Sequence, residues 1–283
     1  MKLKYILPIL LISIFTTACS EDDINDIVPI VSEIEGLTKV QELSNATHTI
    51  ELFNDSGRFY TGYNTISIRI KDNATNSFVE NATINWMPVM QMPTMAHSCP
   101  KTNPTKASGK DTVYTGNIIY QMAMEDGSGW SLTVNYTIDE VEYSVTNDIT
   151  VMQNDDQNVA SFMGSDDKRY IVAMVKPLKP IIGNNELVVG VYQMETMMSF
   201  PVVENFSLKL DPRMPGMGNH SSPNNTDLTY NSSDKLYHAN LSLTMTGYWV
   251  LNLQLLNGEG TVLKGESVTT DNVQSSLYLE LEF

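Results

Sequence analysis

The chain has 283 residues, 42% hydrophobic and 18% charged, enough apolar side chains for one large core or two ordinary ones and too ordered a composition for wholesale disorder. Lys and Arg number 17 against 33 Asp and Glu, a net charge of −16; this excludes a broad phosphate-binding face, and no nucleic-acid partner is expected. Two cysteines exclude a disulfide-framed mini-protein, a zinc finger and an iron–sulfur site, while sixteen methionines, unevenly spread, are the compositional oddity.

At the N-terminus, Lys2 and Lys4 precede an apolar run from Tyr5 to Phe15 that is too short to span a bilayer as a mature helix. Thr16-Thr17-Ala18-Cys19 follows. Small residues ahead of a cysteine resemble a bacterial lipobox, although Thr16 stands where Leu is usual. Residues 1–18 are thus expected to be a lipoprotein signal peptide, with diacylglycerol on Cys19. An ordinary secretory signal with an incidental cysteine is the alternative. The acidic run Ser20-Glu21-Asp22-Asp23 resembles the export tag of Bacteroidetes lipoproteins displayed outside the outer membrane. It favours the cell surface over the periplasmic face of that membrane. Residues 19–35 read as an acidic tether, and no later stretch is apolar and long enough to cross a membrane.

Beyond the tether the pattern is β. Thr65–Ile70 and Ser131–Tyr136 alternate apolar and polar residues with period two. Residues 153–168 are polar and read as a linker. Leu241–Met245 and Trp249–Leu255 then alternate in the same way, and Asn, Asp, Gly and Pro clusters punctuate the runs. The chain also repeats itself at an offset of roughly 120 residues, the expected signature of tandem units. Gly62–Ile70 lies over Gly183–Val191, Ser77–Asn81 over Ser199–Asn205, Met92–Pro100 over Met214–Pro223 and Asp111–Tyr114 over Asp234–Tyr237. In this alignment Met124 falls on Met245 and Trp130 on Trp249. The expected fold class is therefore all-β: two tandem immunoglobulin-like β-sandwich domains, residues 36–152 and 169–283.

Of four histidines, His97 and His220 occupy equivalent positions, each after a Met-Pro-x-Met step. The candidate metal ligands are Met92, Met95, His97, Met122 and Met124 in the first half, and Met214, Met217, His220 and Met245 in the second. Met122 and Met124 share one face of a strand, and Met87 and Met90 add sulfur nearby. Thioether plus imidazole is a soft donor set that selects Cu(I), and it needs no deprotonated thiolate. Methionine also fills cores, and a loop histidine is ordinarily solvated; the recurrence of two Met and a His in a Pro-flanked loop favours metal. Cys99, two residues after His97, is a further soft donor if ionised, and otherwise an incidental buried thiol. Trp130 and Trp249 read as core anchors.

The loop Met214-Pro215-Gly216-Met217-Gly218-Asn219-His220 and the later Met245-Thr246-Gly247-Tyr248-Trp249 resemble the YtkA-like, FixH-type domain, with the first half a looser copy. The resemblance implies an extracytoplasmic immunoglobulin-like sandwich associated with copper handling, with lipid in place of the family's transmembrane anchor. No catalytic motif appears: there is no Gly-x-Ser-x-Gly, no His-Glu-x-x-His and no phosphate-binding glycine loop. The expectation is a non-enzymatic lipoprotein that holds Cu(I) for storage, buffering or delivery. Its implied partners are the membrane, through lipid, and a protein that gives or takes copper. The alternative is a metal-free structural or ligand-binding surface module.

Overall fold

The structure is a computed structural model, and it describes residues 32–125 and 127–283. Cys19 and most of the expected tether lie outside the described residues. In chain order the first strands are β1 (Thr38–Ser44), β2 (His48–Asn54), β3 (Phe59–Tyr60), β4 (Gly62–Asp72), β5 (Thr83–Gln91), β6 (Ala96–His97) and β7 (Lys101–Lys106). Next come β8 (Tyr114–Tyr120), β9 (Gly129–Ile138), β10 (Val141–Ile149), β11 (Val151–Met152), β12 (Val159–Met163), β13 (Arg169–Lys176) and β14 (Gly183–Met194). The last are β15 (Ser207–Met214), β16 (His220–Ser221), β17 (Leu228–Asn231), β18 (Leu236–Leu243), β19 (Tyr248–Leu256), β20 (Val262–Lys264) and β21 (Tyr278–Glu282). Among the described residues there is no α-helix, only one 3-10 turn at Pro215–Met217; the protein is all-β.

Period-two alternation decides which side chains enter the core. Along β5, Ile84, Trp86 and Met90 are buried while Thr83, Asn85 and Gln91 are exposed. Along β9, Trp130, Leu132, Val134 and Tyr136 point inward. A two-residue turn with positive φ at both Asp139 and Glu140 folds β10 back onto β9, the geometry that suits the right-handed twist of a hairpin. In the first half the sheets run β1-β2-β4-β8-β7 and β10-β9-β5-β6. In the second half, β12-β13-β14-β18-β17 and β16-β15-β19 take the same order. There β17 also pairs with β15, at Leu208 and Leu228, and joins everything into one ten-stranded sheet.

Two side-chain devices recur at matching places. The Asn64 amide bonds the Tyr60 N–H and the Tyr60 and Gly62 carbonyls, and Asn185 does the same to Ile181 and Gly183. The buried Tyr237 hydroxyl donates to the Val203 carbonyl at 2.7 Å and accepts from the Phe206 N–H; Tyr114 bridges Glu80 and Ala82 in the same way. Each satisfies main-chain groups where a strand leaves its ladder.

One hydrophobic core gathers residues between Leu43 and Val151, and another gathers residues between Tyr170 and Leu281. A third, smaller cluster joins Ile119 and Tyr63 to Ile171, Ala173 and Tyr192, and Glu33–Phe283 packs as one compact unit. The stretch 153–168, expected as a linker, instead contains β12, paired with β13 along its length. Its polar composition hides Ala160 and Phe162, which pack on the second core, and Gln157 bonds both Glu280 and Tyr278. The end of the expected tether is also anchored. The Glu33 carboxylate accepts from the Asp111 and Thr112 N–H groups and the Thr112 hydroxyl, and that hydroxyl first, then the Asp111 N–H, holds it below the usual carboxylate range.

Tyr237→Phe leaves the Val203 carbonyl and the Phe206 N–H unpaired in an apolar setting. We expect it to cost about 1–3 kcal/mol, read as a lower urea midpoint at unchanged slope.

Candidate metal centre

The two histidines stand at the ends of short hairpins. In the first half, the Met92 N–H donates to the Met95 carbonyl and closes the tip between β5 and β6. The ladder behind this tip places His97 directly opposite Met90, and Met90 opposite Trp130 on β9. Directly opposed antiparallel residues share a face, with Cβ atoms about 4.5–5.5 Å apart. His97, Met90 and Trp130 thus form one row across three strands. The imidazole meets the Trp130 ring edge-on at 5.7 Å. Its Nδ1 lies 2.7 Å from the Ser98 carbonyl oxygen, which can only accept, so Nδ1 is the donor of that bond. A metal-binding imidazole is commonly held in this way.

The second half repeats the row. His220 on β16 is opposite Met214 on β15. The β15–β19 ladder pairs Arg213 with Val250, which brings Met214 level with Trp249. Met214 is buried, and its methyl group lies 3.2 Å from where a Cβ on Gly247 would sit. Gly247 has φ of +120°, so both the backbone and the packed methionine call for glycine there. His220 is exposed, with Nε2 3.5 Å from the Thr244 hydroxyl. In both halves the indole N–H donates to a methionine carbonyl: Trp130 to Met122 at 2.9 Å and Trp249 to Met245 at 3.1 Å. Met122 and Met245 are half-buried against their respective cores.

These geometries re-pair the repeat. The counterpart of Met214 is Met90, not Met92, and the counterpart of Met245 is Met122, not Met124. Hairpin tips and turns of unequal length separate the aligned motifs from the strands, and ladder register, not loop sequence, sets which side chains face each other. Met92 is half-buried against the first core. Met95, Met124 and Met217 lie on the surface, 46%, 43% and 58% exposed, and none belongs to a row. The signal for Met90 was its place in the alternation of β5, four residues after Trp86. His48 bonds Thr47 and packs edge-on against Tyr136 and Tyr143, and His238 bridges Glu186 and Asp234; neither belongs to the rows.

Cys99 is a free thiol in the first core. Burial pushes its pKa well above the ordinary value, so it stands there as a neutral thiol and not as the thiolate donor considered from the sequence. Among the described residues no three His, Cys, Asp or Glu side chains converge. What the ladders align instead is an imidazole, a thioether and an indole in one row of each half, and imidazole with thioether is a soft donor set.

No family model matches the chain, and no curated protein matches it. A solved structure described as the conserved domain protein from Bacillus anthracis is similar at a TM-score of 0.32 and 10% identity, covering 89% of this chain and 93% of that one.

The raised thiol pKa has a consequence for stability. The unfolded thiol ionises near pH 8.5 while the folded one stays protonated. The stability that Cys99 contributes is therefore complete below that pH and lost as pH rises beyond it. We expect the urea midpoint to fall more between pH 7 and 9.5 in the parent protein than in Cys99→Ala. In protein lacking the Cys19 thiol, Ellman's reagent should find no reactive sulfhydryl until denaturant is added.

Proposed function

We propose that this chain is an extracytoplasmic lipoprotein that binds Cu(I) and stores, buffers or hands it on. It is read as two tandem immunoglobulin-like sandwiches of the YtkA-like, FixH-type kind. The observation that carries the copper reading is the His–Met–Trp row, which recurs in both halves at the same register. A core needs Met90 and Met214, but it has no use for a polar imidazole directly opposite each of them. His97 Nε2 and the Met90 thioether would hold the ion in the first half, and His220 and the Met214 thioether in the second. The strand ladders set the positions of all four donors, and no carboxylate or thiolate is required. The indole faces of Trp130 and Trp249 add cation–π attraction.

The tandem reading is supported by the matching strand orders and by the recurring Asn64/Asn185 and Tyr114/Tyr237 devices. The lipid anchor rests on Thr17-Ala18-Cys19 alone. Attachment at the cell surface, and a copper-donating or copper-accepting partner, belong to the same proposal. The chain is read as a binder and not an enzyme. A metal-free surface module is the competing reading, and metal content separates the two.

Anaerobic competition against bathocuproine disulfonate should give two Cu(I) per lipid-free chain. His97→Ala and His220→Ala should each remove one or weaken it at least about tenfold, and Met214→Leu should act like His220→Ala. His220→Ala should leave the thermal midpoint unchanged, because His220 is exposed. Absence of Cu(I) binding in the parent protein would sink the copper reading. Separately, Cys19→Ser should move the protein from the membrane to the soluble fraction; a mutant that stays membrane-bound with its signal removed means a different anchor.

A further inference from the structure

Residues 177–182 join β13 to β14 and hold aliphatic side chains out in water. Leu178, Ile181 and Ile182 are 77%, 60% and 59% exposed. Single exposed aliphatics are ordinary, but three within one short loop leave a contiguous apolar surface unmet. The loop is not slack. The Ile181 N–H donates to Asn185 Oδ1 at 2.9 Å, and the Asn185 amide donates to the Ile181 and Gly183 carbonyls at 2.9 and 3.1 Å. Pro177 and Pro180 restrict the rest. The first half uses the same device with the opposite result. Its loop, held by Asn64, buries Phe59 and Thr61, because β11 pairs with β3 and the Thr61 N–H donates to the Met152 carbonyl. Among the described residues no strand pairs with 177–182.

The course of the chain says what lies nearby. Leu37 lines the same groove as Leu178 and Pro180, and Glu33, four residues earlier, is fixed to Asp111 and Thr112. Cys19 precedes Glu33 by 14 residues, a reach of about 50 Å at most. A lipid on Cys19 thus keeps a bilayer within range of this loop. Joining two contacts by a short tether makes the second intramolecular, at effective concentrations of the order of millimolar, so a weak contact of the loop with lipid suffices.

We propose that this loop is a lipid-docking surface: Leu178, Ile181 and Ile182 enter the interface of a neutral, zwitterionic bilayer, the one that holds the Cys19 anchor. The proposal rests on the lipoprotein reading for its membrane, and it stands whether or not the chain binds Cu(I). The aliphatic side chains leave water for the boundary between headgroups and acyl chains. Lys179, between them in sequence, keeps its ammonium among the headgroups while its stem lies along the apolar boundary. A loop already fixed by Asn185 loses little freedom on docking. Charge does not drive the contact. Lys176 is held by Glu186 at 2.8 Å, and Asp55, Asp156, Glu280 and Glu282 line the adjoining groove, which disfavours anionic lipid.

The test uses the whole chain from Cys19 onward, its Cys19 thiol coupled to a maleimide lipid in phosphatidylcholine vesicles, so that tethering does not depend on lipidation in cells. Cys99 is buried and does not compete for the coupling. Trp86, Trp130 and Trp249 are buried and give a constant background, against which Leu178→Trp places a reporter at the loop. Its emission should shift to the blue on coupling and be quenched by brominated phosphatidylcholine, with no loss of either effect in 1 M salt. Adding Ile181→Ser and Ile182→Ser should abolish both effects at unchanged thermal midpoint, because both side chains are exposed. The proposal is overturned by a reporter that stays water-like and unquenched in the coupled chain, by quenching that survives the two serine substitutions, or by quenching that appears only with anionic vesicles and vanishes in salt. Whether Cys19 carries lipid in cells is read separately from the mass of the N-terminal peptide: an unmodified Cys19 ends the anchor reading, and an unquenched reporter ends this one.

Discussion

A one-residue slip between β5 and β9 would carry one strand's buried set to solvent, either Trp86 and Met90 or Trp130, Leu132 and Val134, because strand side chains alternate faces. The same holds for β15 against β19 with Leu208, Trp249, Leu251 and Leu253. Burial on one face therefore pins the register of each ladder. Once it is pinned, the short strands β6 and β16 have little freedom, and His97 and His220 come to rest opposite Met90 and Met214. The candidate centre is a by-product of core packing in its position, though not in its chemistry.

The tryptophan N–H groups that the cores enclose are answered locally, which helps a β fold with so many strand exits remain stable. Each indole N–H finds a carbonyl: Trp86 that of Thr102, Trp130 that of Met122 and Trp249 that of Met245. The last two bonds have a second effect. By tying the ring on one strand to the carbonyl of the preceding turn, they bring Met122 and Met245 to the end of the core where the histidines stand. The two halves then diverge in detail. Pairing of β17 with β15 joins the second half into a continuous sheet, whereas the first remains divided into separate sheets, among them the short parallel pair β11-β3. His97 is buried and its Nδ1 is engaged, while His220 is exposed on a two-residue strand. A ligand at the second row would meet less protein on entry than one at the first.

The all-β class was legible because alternation in Thr65–Ile70, Ser131–Tyr136 and Trp249–Leu255 survives in β4, β9 and β19. The histidine positions were legible because their flanking motifs repeat. The methionine partners were not. Loop motifs align on prolines and glycines, but contacts follow ladders, and the turn from Met122 to Trp130 is longer than that from Met245 to Trp249. Strand β12 was missed because Asp155, Asp156, Asp166 and Asp167 set the composition of its stretch and masked Ala160 and Phe162.

The burial of Cys99 bears on how copper chemistry would have to work here. A thiol at the protein surface in an oxidising compartment is open to oxidation and to mixed disulfides. Sealed in the first core, with its ionisation suppressed by burial, Cys99 is shielded from both. It is also removed from service as a donor, because a thiolate would have to form inside an apolar cluster shared with Tyr120, whose own buried hydroxyl has no hydrogen-bond partner among the described residues. The donors left near His97 are thioethers, which stay neutral at any pH and tolerate such surroundings. A site built of imidazole and thioether alone can therefore sit at the edge of a hydrophobic core without requiring that core to stabilise an anion, and the second half, where Ser222 aligns with Cys99 in sequence, keeps the same His–Met–Trp row with no thiol at all.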